Sequence, residues 1–128
     1  MYRVLVMLLA PAAAFQPADR TALKSAVDAC CDGGLDGTFD NVCEVDDNGA
    51  RVTDGSGTHI KDWDTSLVTA MYNIFNGYSD QCFRSMNTNI TTWDTSAVTH
   101  MSNMFKSAYS FNQPLEWDTQ LVKSMGAT

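Results

Sequence analysis

One short pattern recurs three times along the chain: Trp63-Asp64-Thr65-Ser66-Leu67-Val68-Thr69, Trp93-Asp94-Thr95-Ser96-Ala97-Val98-Thr99 and Trp117-Asp118-Thr119-Gln120-Leu121-Val122-Lys123. A Met follows each Val by three residues, at Met71, Met101 and Met125. Recurrence on this scale predicts similar units laid side by side, each too small to bury its own apolar face. Thirty residues separate the first two tryptophans and twenty-four the second pair. The excess is an insertion around Asn76-Gly77-Tyr78-Ser79-Asp80-Gln81-Cys82, where the second unit has only Lys106-Ser107-Ala108-Tyr109-Ser110.

Within a unit the apolar period changes. Ile60 and Trp63, Ile90 and Trp93, and Leu115 and Trp117 mark short extended segments. Val68, Met71, Ile74 and Phe75, then Val98, Met101, Met104 and Phe105, follow at helical spacing. Thr65/Ser66 and Thr95/Ser96 stand where hydroxyls cap a helix, and Asp64, Asp94 and Asp118 place negative charge near its positive end. The expected fold is therefore an α/β repeat solenoid of short strands and short helices, with about two and a half repeats.

Upstream, Met1-Tyr2-Arg3, the apolar run Val4 to Ala10 and the small residues Ala12-Ala13-Ala14 have the three parts of a secretory signal. Cleavage is expected after Ala14, with Ala18 as the later alternative. The run is too short to span a bilayer, which needs about 20 residues, so a retained anchor is the minor reading and no span is expected in the mature chain. Residues 15–59 read as an N-terminal cap. Asp19 starts a helix carrying Leu23, Ala26, Val27 and Cys30 on one face, and glycines at 33 and 34 stop it. A loop-rich connection follows to residue 59, and the repeats occupy 60–128, the last one incomplete. Four cysteines in a secreted chain predict disulfides. Adjacent Cys30 and Cys31 are poorly placed to bond each other, so either pairs with Cys43 and leaves the other for Cys82. A metal site at Cys30, Cys31 and Cys43 lacks paired spacing and a histidine.

Removing the signal takes away Arg3 and moves the formal net charge from -7 to -8. An acidic balance with scattered basic residues argues against nucleic acid and anionic membrane surfaces as partners. No residue constellation for catalysis is present: His59 and His100 lie in unrelated contexts, and no nucleophile recurs beside the aspartates. The chain is read as no enzyme, with no cofactor and no metal. An Asp64/Asp94/Asp118 row could hold calcium, but turn and cap formation uses Asp, Thr and Ser at these positions. Asp46-Asp47-Asn48-Gly49 fails as a calcium loop because Gly55 stands where a bidentate Glu is required. The three tryptophans could form a platform for sugar rings, and Met71, Met101, Met104 and Met125 an adaptable groove; repetition at fixed positions favours core for both. Asn89-Ile90-Thr91 is an acceptor sequon for N-glycosylation in a secreted eukaryotic chain.

Trp93-Asp94-Thr95-Ser96-Ala97-Val98-Thr99-His100-Met101-Ser102-Asn103-Met104-Phe105, followed by Ala108 and Phe111-Asn112-Gln113-Pro114-Leu115, resembles the repeat unit of the BspA-like leucine-rich-repeat surface proteins. The likeness covers residues 60 to 128. The first unit departs from it at Ile74 and lacks the Phe-Asn-Gln stretch, and the third has Gln120 and Lys123 in place of Ser and Thr. The resemblance implies a leucine-rich-repeat-type solenoid, secreted or displayed on a cell surface, engaged in adhesion or protein contacts without a catalytic centre. The expected function is a non-catalytic interaction or adhesion module whose partner is a protein or glycan at a cell surface. The alternative is a structural fragment of a larger extracellular repeat protein, since the sequence stops inside the third unit. An uncapped last unit is also expected to favour self-association.

Overall fold

The computed structural model describes residues 14–31 and 37–126. The signal expected over 1–14 lies, apart from Ala14, outside the described residues, as does the glycine helix stop. Helix α1, Arg20–Ala29, starts at Asp19, whose carboxylate accepts the Ala22 N–H at 2.9 Å, and buries Leu23, Ala26 and Val27. Lys24 and Asp28 pair across one turn of its exposed face.

Where a loop-rich connection was expected, a small antiparallel sheet forms. Strands β1 (Glu44–Val45), β2 (Arg51–Val52) and β3 (Thr58–His59) lie in the order β2-β1-β3. Its hairpin is closed by Asp46, whose carboxylate accepts the N–H groups of Asn48 and Ala50. Gly49 adopts φ +79°, and a Cβ there would stand 3.0 Å from the ring of Phe15. Two-residue strands offer too little alternation to be seen in a sequence.

The expected α/β solenoid of leucine-rich-repeat type is not what forms. The described residues contain one α-helix, the three short strands above and two 3-10 turns, at Ile60–Asp62 and Gln81–Ser85. Among the described residues no repeat unit contains an α-helix or a strand. The cause is visible at Asn73 and Asn103, which occupy the same place in successive units with φ +59° and +58°. A left-handed residue ends a right-handed helix, and asparagine adopts that conformation most readily after glycine. The backbone N–H groups that a helix would use internally turn sideways to the next unit. Met71, Asn73, Phe75 and Gly77 donate to the carbonyls of His100, Ser102, Met104 and Lys106 at 2.8 to 3.1 Å. Single parallel bridges, Ala70 to His100 and His100 to Ser124, take the place of strands.

One hydrophobic core runs from Phe15 and Leu23 through Ile60, Trp63, Phe75 and Phe83 to Met104. The two disulfides are Cys30–Cys43 and Cys31–Cys82, which resolves the two pairings left open by the sequence. The first holds α1 against β1, and the second ties the end of α1 to the insertion of the first unit. Two disulfides suit an oxidising, extracellular setting. No helix of the described residues is long and apolar enough to cross a membrane.

The Cys31–Cys82 bond closes the longer loop, spanning 51 residues against 13 for Cys30–Cys43. Loop-closure entropy makes it worth about 4 kcal/mol against about 3 for the shorter loop. Replacing Cys31 and Cys82 together by Ser is expected to lower the unfolding free energy by about 2 to 4 kcal/mol, read by guanidinium titration. An unchanged midpoint would show that the bond carries no structural weight.

Candidate functional site

The recurrent residues come together as rows running across the three units. Trp63 and Trp93 are buried and stack at 6.0 Å between ring centroids; Phe75 stacks on Trp93 at 5.7 Å, and Phe105 on Trp117 at 6.1 Å. Each later indole N–H donates to a carbonyl of the preceding unit, Trp93 to Ile60 and Trp117 to Ile90. Trp63 and Trp93 are therefore unavailable as a sugar platform, while Trp117 is half-buried. Val68, Met71, Val98, Met101 and Met104 are buried, whereas Phe105 and Val122 are partly exposed.

Each aspartate closes its own turn rather than a helix. The carboxylates of Asp64 and Asp94 accept both the N–H and the hydroxyl of Ser66 and Ser96, and Asp118 accepts the N–H of Gln120. The Ser96 hydroxyl, with the Ser96 N–H second, holds the Asp94 carboxyl below the ordinary aspartate value. The buried hydroxyls of Thr65 and Thr95 donate outward to the next unit, to the carbonyls of Asp94 and Asp118 at 3.0 and 2.9 Å. Aspartate and serine thus pair with each other inside a turn, while the threonine hydroxyl is taken up by the next unit.

A second row escaped the sequence reading. The Asn41 side-chain oxygen accepts the Asn87 N–H at 2.7 Å, and that of Asn87 accepts the Asn112 N–H at 2.8 Å. Asn87 thus does for the first unit what Asn112 of Phe-Asn-Gln does for the second. Its signal was its spacing, three residues before Ile90 as Asn112 is before Leu115. Also unforeseen, Phe15, Gln16 and Arg20 cover the outer side of the first unit. Phe15 meets Trp63 edge-on at 5.2 Å and accepts the Asp64 N–H, Gln16 reaches the Asp64 carboxylate, and Arg20 donates to the Tyr72 carbonyl.

The remaining candidates fall apart as chemical sites. His59 accepts the Lys61 N–H, and His100 contacts the Thr99 hydroxyl. Among the described residues, the one cluster with metal-ligand spacing is Cys31, Asp80 and Cys82, but both sulfurs are in the disulfide. A wide cavity of about 730 Å³ is lined by Glu44, Asp46, Asp47, His59 and Asp62, and Asp46 is already engaged in its hairpin. Asn89 is exposed and its side chain accepts the Thr91 N–H.

The most exposed aromatics belong to the segments in which units differ. Tyr78, in the insertion, and Tyr109 are 71% and 76% exposed. Lys106 lies over the Tyr78 ring at 4.8 Å and Arg84 over Tyr109 at 5.9 Å. Three hydrogen bonds place the four on one surface: Gly77 N–H to the Lys106 carbonyl, Arg84 Nε to the Gly77 carbonyl, and Ser110 N–H to the Arg84 carbonyl. Neither cation has an ion-pair partner among the described residues.

Fold and site together define a small disulfide-linked protein of short repeats with structurally committed motifs and variable surface loops. Residues 47–128 match the family described as Mycoplasma protein of unknown function, DUF285, and the chain belongs to that family. Neither the curated proteins nor the solved structures contain a match.

Two tests follow from the rows. Trp93→Phe removes the indole N–H from the Ile60 carbonyl, which keeps only the longer bond from the Trp63 N–H at 3.4 Å, and is expected to cost about 1 to 2 kcal/mol, and Thr95→Val about 1 kcal/mol, both read by denaturant unfolding. In Asp94 the folded-state value is depressed, so the ionised form favours the fold above the unfolded value of about 3.9 and this contribution is lost as pH falls through the lower folded value. Ser96→Ala should therefore raise the Asp94 titration midpoint in an NMR pH series. No upward movement would mean that the Ser96 hydroxyl does not stabilise the carboxylate.

Proposed function

We propose that the protein is a non-catalytic interaction or adhesion module that is secreted or displayed on a cell surface, with a protein or glycan as partner. The observation that carries this reading is the exposed Tyr78/Arg84/Lys106/Tyr109 surface. Exposed tyrosines beside cations combine apolar contact area with hydrogen-bonding and charged groups, the composition favoured at recognition surfaces. The motif residues of the first two units support it indirectly, since their polar groups are already hydrogen-bonded within the structure. The likeness of the unit to the repeats of BspA-like surface proteins and the two disulfides favour the same location. On this reading the N-terminal residues 1–14 act as the secretion signal.

Purified protein passed over arrayed glycans and cell-surface proteins is expected to find a saturable ligand. Tyr78→Ala with Tyr109→Ala should weaken that binding by about tenfold or more, the loss typical of aromatic contacts at an interface centre. A ligand bound equally well by the double variant would place recognition elsewhere, and the absence of any saturable ligand would remove the proposal.

A further inference from the structure

Gly77 brings the insertion of the first unit against residues 106–110 as closely as backbone allows. A Cβ at this position would overlap the Ser107 carbonyl and stand 3.1 Å from Cγ of Arg84, so a side chain does not fit. The adjoining Asn76 is buried; its side-chain oxygen accepts the N–H groups of Tyr78 and Ser79, and its amide donates to Asn73. Tyr78, Arg84, Lys106 and Tyr109 therefore project from one fixed base rather than from two independent loops. A surface assembled beforehand loses little conformational entropy when it binds.

What that surface leaves open selects its ligand. Its cations are open: Arg84 spends Nε on the Gly77 carbonyl and has no acceptor at its two terminal nitrogens among the described residues, and the Lys106 ammonium meets only the Tyr78 ring. Its rings are open too, since both tyrosines stay highly exposed with the cations already over them. Its backbone is not. The N–H groups of residues 77–80, 106, 108 and 110 all donate within the structure. A peptide therefore cannot join these segments as an added strand, the mode in which main-chain bonds supply the affinity.

The net charge of -7 is unevenly spread. Nine of the fifteen carboxylates lie in residues 32–64, while residues 65–115 carry Asp80 and Asp94 against Arg84 and Lys106. Asp80, the one acid in these two segments, turns Oδ1 onto the Cys82 N–H. An anion thus meets more positive than negative charge at this surface. Exposed rings beside free cations match a sugar that carries an acid: its C–H face packs on the aromatic, and the acid accepts charged N–H groups. We propose that the surface binds an anionic saccharide, with a sugar ring on a tyrosine and its carboxylate or sulfate on the cation beside that ring. The inference rests on the reading of this surface as the recognition site and names the ligand class it takes.

The probes are sialyllactose, a heparin-derived tetrasaccharide, neutral lactose and hexaglutamate, each titrated onto the disulfide-intact protein and followed by calorimetry and NMR. Saturable binding of at least one charged saccharide is expected, with shifts at Tyr78, Arg84, Lys106 and Tyr109; the arm that binds identifies the acid as carboxylate or sulfate. Lactose should bind about tenfold more weakly or less. Lys106→Gln and Tyr109→Ala, both exposed substitutions whose fold is checked by circular dichroism, should each weaken the charged saccharide about threefold to tenfold, and Lys106→Arg should restore it. Charged saccharides that bind no better than lactose, tighter binding of hexaglutamate than of both saccharides, or a charged-saccharide affinity that either variant leaves unchanged would each overturn the proposal. A protein or neutral glycan lost on joint replacement of Tyr78 and Tyr109 by Ala, with no response to the charged saccharides, would sink this inference and leave the proposed function standing.

Discussion

Everything in the repeat region depends on the burial of the Trp93 indole with its one polar atom satisfied. Its ring lies between Trp63 and Phe75, and its N–H reaches the Ile60 carbonyl at 2.9 Å. A buried indole without an acceptor would forfeit much of what its apolar area contributes. The acceptor comes from a residue 33 positions earlier, so the hydrogen bond and the ring stack both demand that two units lie side by side. Side-by-side placement then makes the sideways backbone bonds available. Helices inside the units would have competed for the same N–H groups.

That competition explains where sequence reasoning succeeds and where it fails. Helix α1 is legible because its signals are local: Asp19 before it and an apolar face at helical spacing within ten residues. The cysteine pairing is nearly legible, because adjacency leaves two arrangements, and the choice between them lies in how the end of α1 packs, with Cys30 buried and Cys31 half-buried. The run Val68, Met71, Ile74, Phe75 misleads. Its period is helical and its members are buried, but the burial is created by neighbouring units rather than by a helix face. The contrary signal was present in Tyr72-Asn73-Ile74 and Ser102-Asn103-Met104, a repeated asparagine in the centre of each supposed helix. Asparagine is a weak helix former whose side chain competes for backbone groups, and its repetition carries more information than its propensity. The small sheet of β1 to β3 was not legible, since two-residue strands leave no period to read and the place of Gly49 under the Phe15 ring depends on the tertiary fold.

The same logic separates motif from surface. In Trp-Asp-Thr-Ser the aspartate and serine close a turn inside one unit, while the threonine hydroxyl and the indole N–H bond across to another. None of these polar atoms is left to receive a ligand at an inner junction. The candidate acids were therefore readable as turn formers from residue type alone, but the direction of each threonine was not, because its partner lies in the next copy. Residues at 76–82 and 106–110, where copies diverge, escape these constraints, and there the chain places its most exposed tyrosines.

A row of units joined by equivalent bonds has an asymmetry that a closed core lacks. Each junction consumes the trailing side of one unit and the leading side of the next, so any finite row ends with one side of each kind. Here the outer side of the first unit carries a cover: Phe15 turns its ring edge to Trp63, and its carbonyl accepts the Asp64 N–H. Burial along the row follows the neighbours rather than the motif. Trp63, with Phe15 on one side and Trp93 on the other, and Trp93, between Trp63 and Phe75, are 2% exposed, whereas Trp117 of the same motif is half-buried. One residue pattern therefore gives different burial at different places in the row, because what encloses each indole is supplied from outside its own unit.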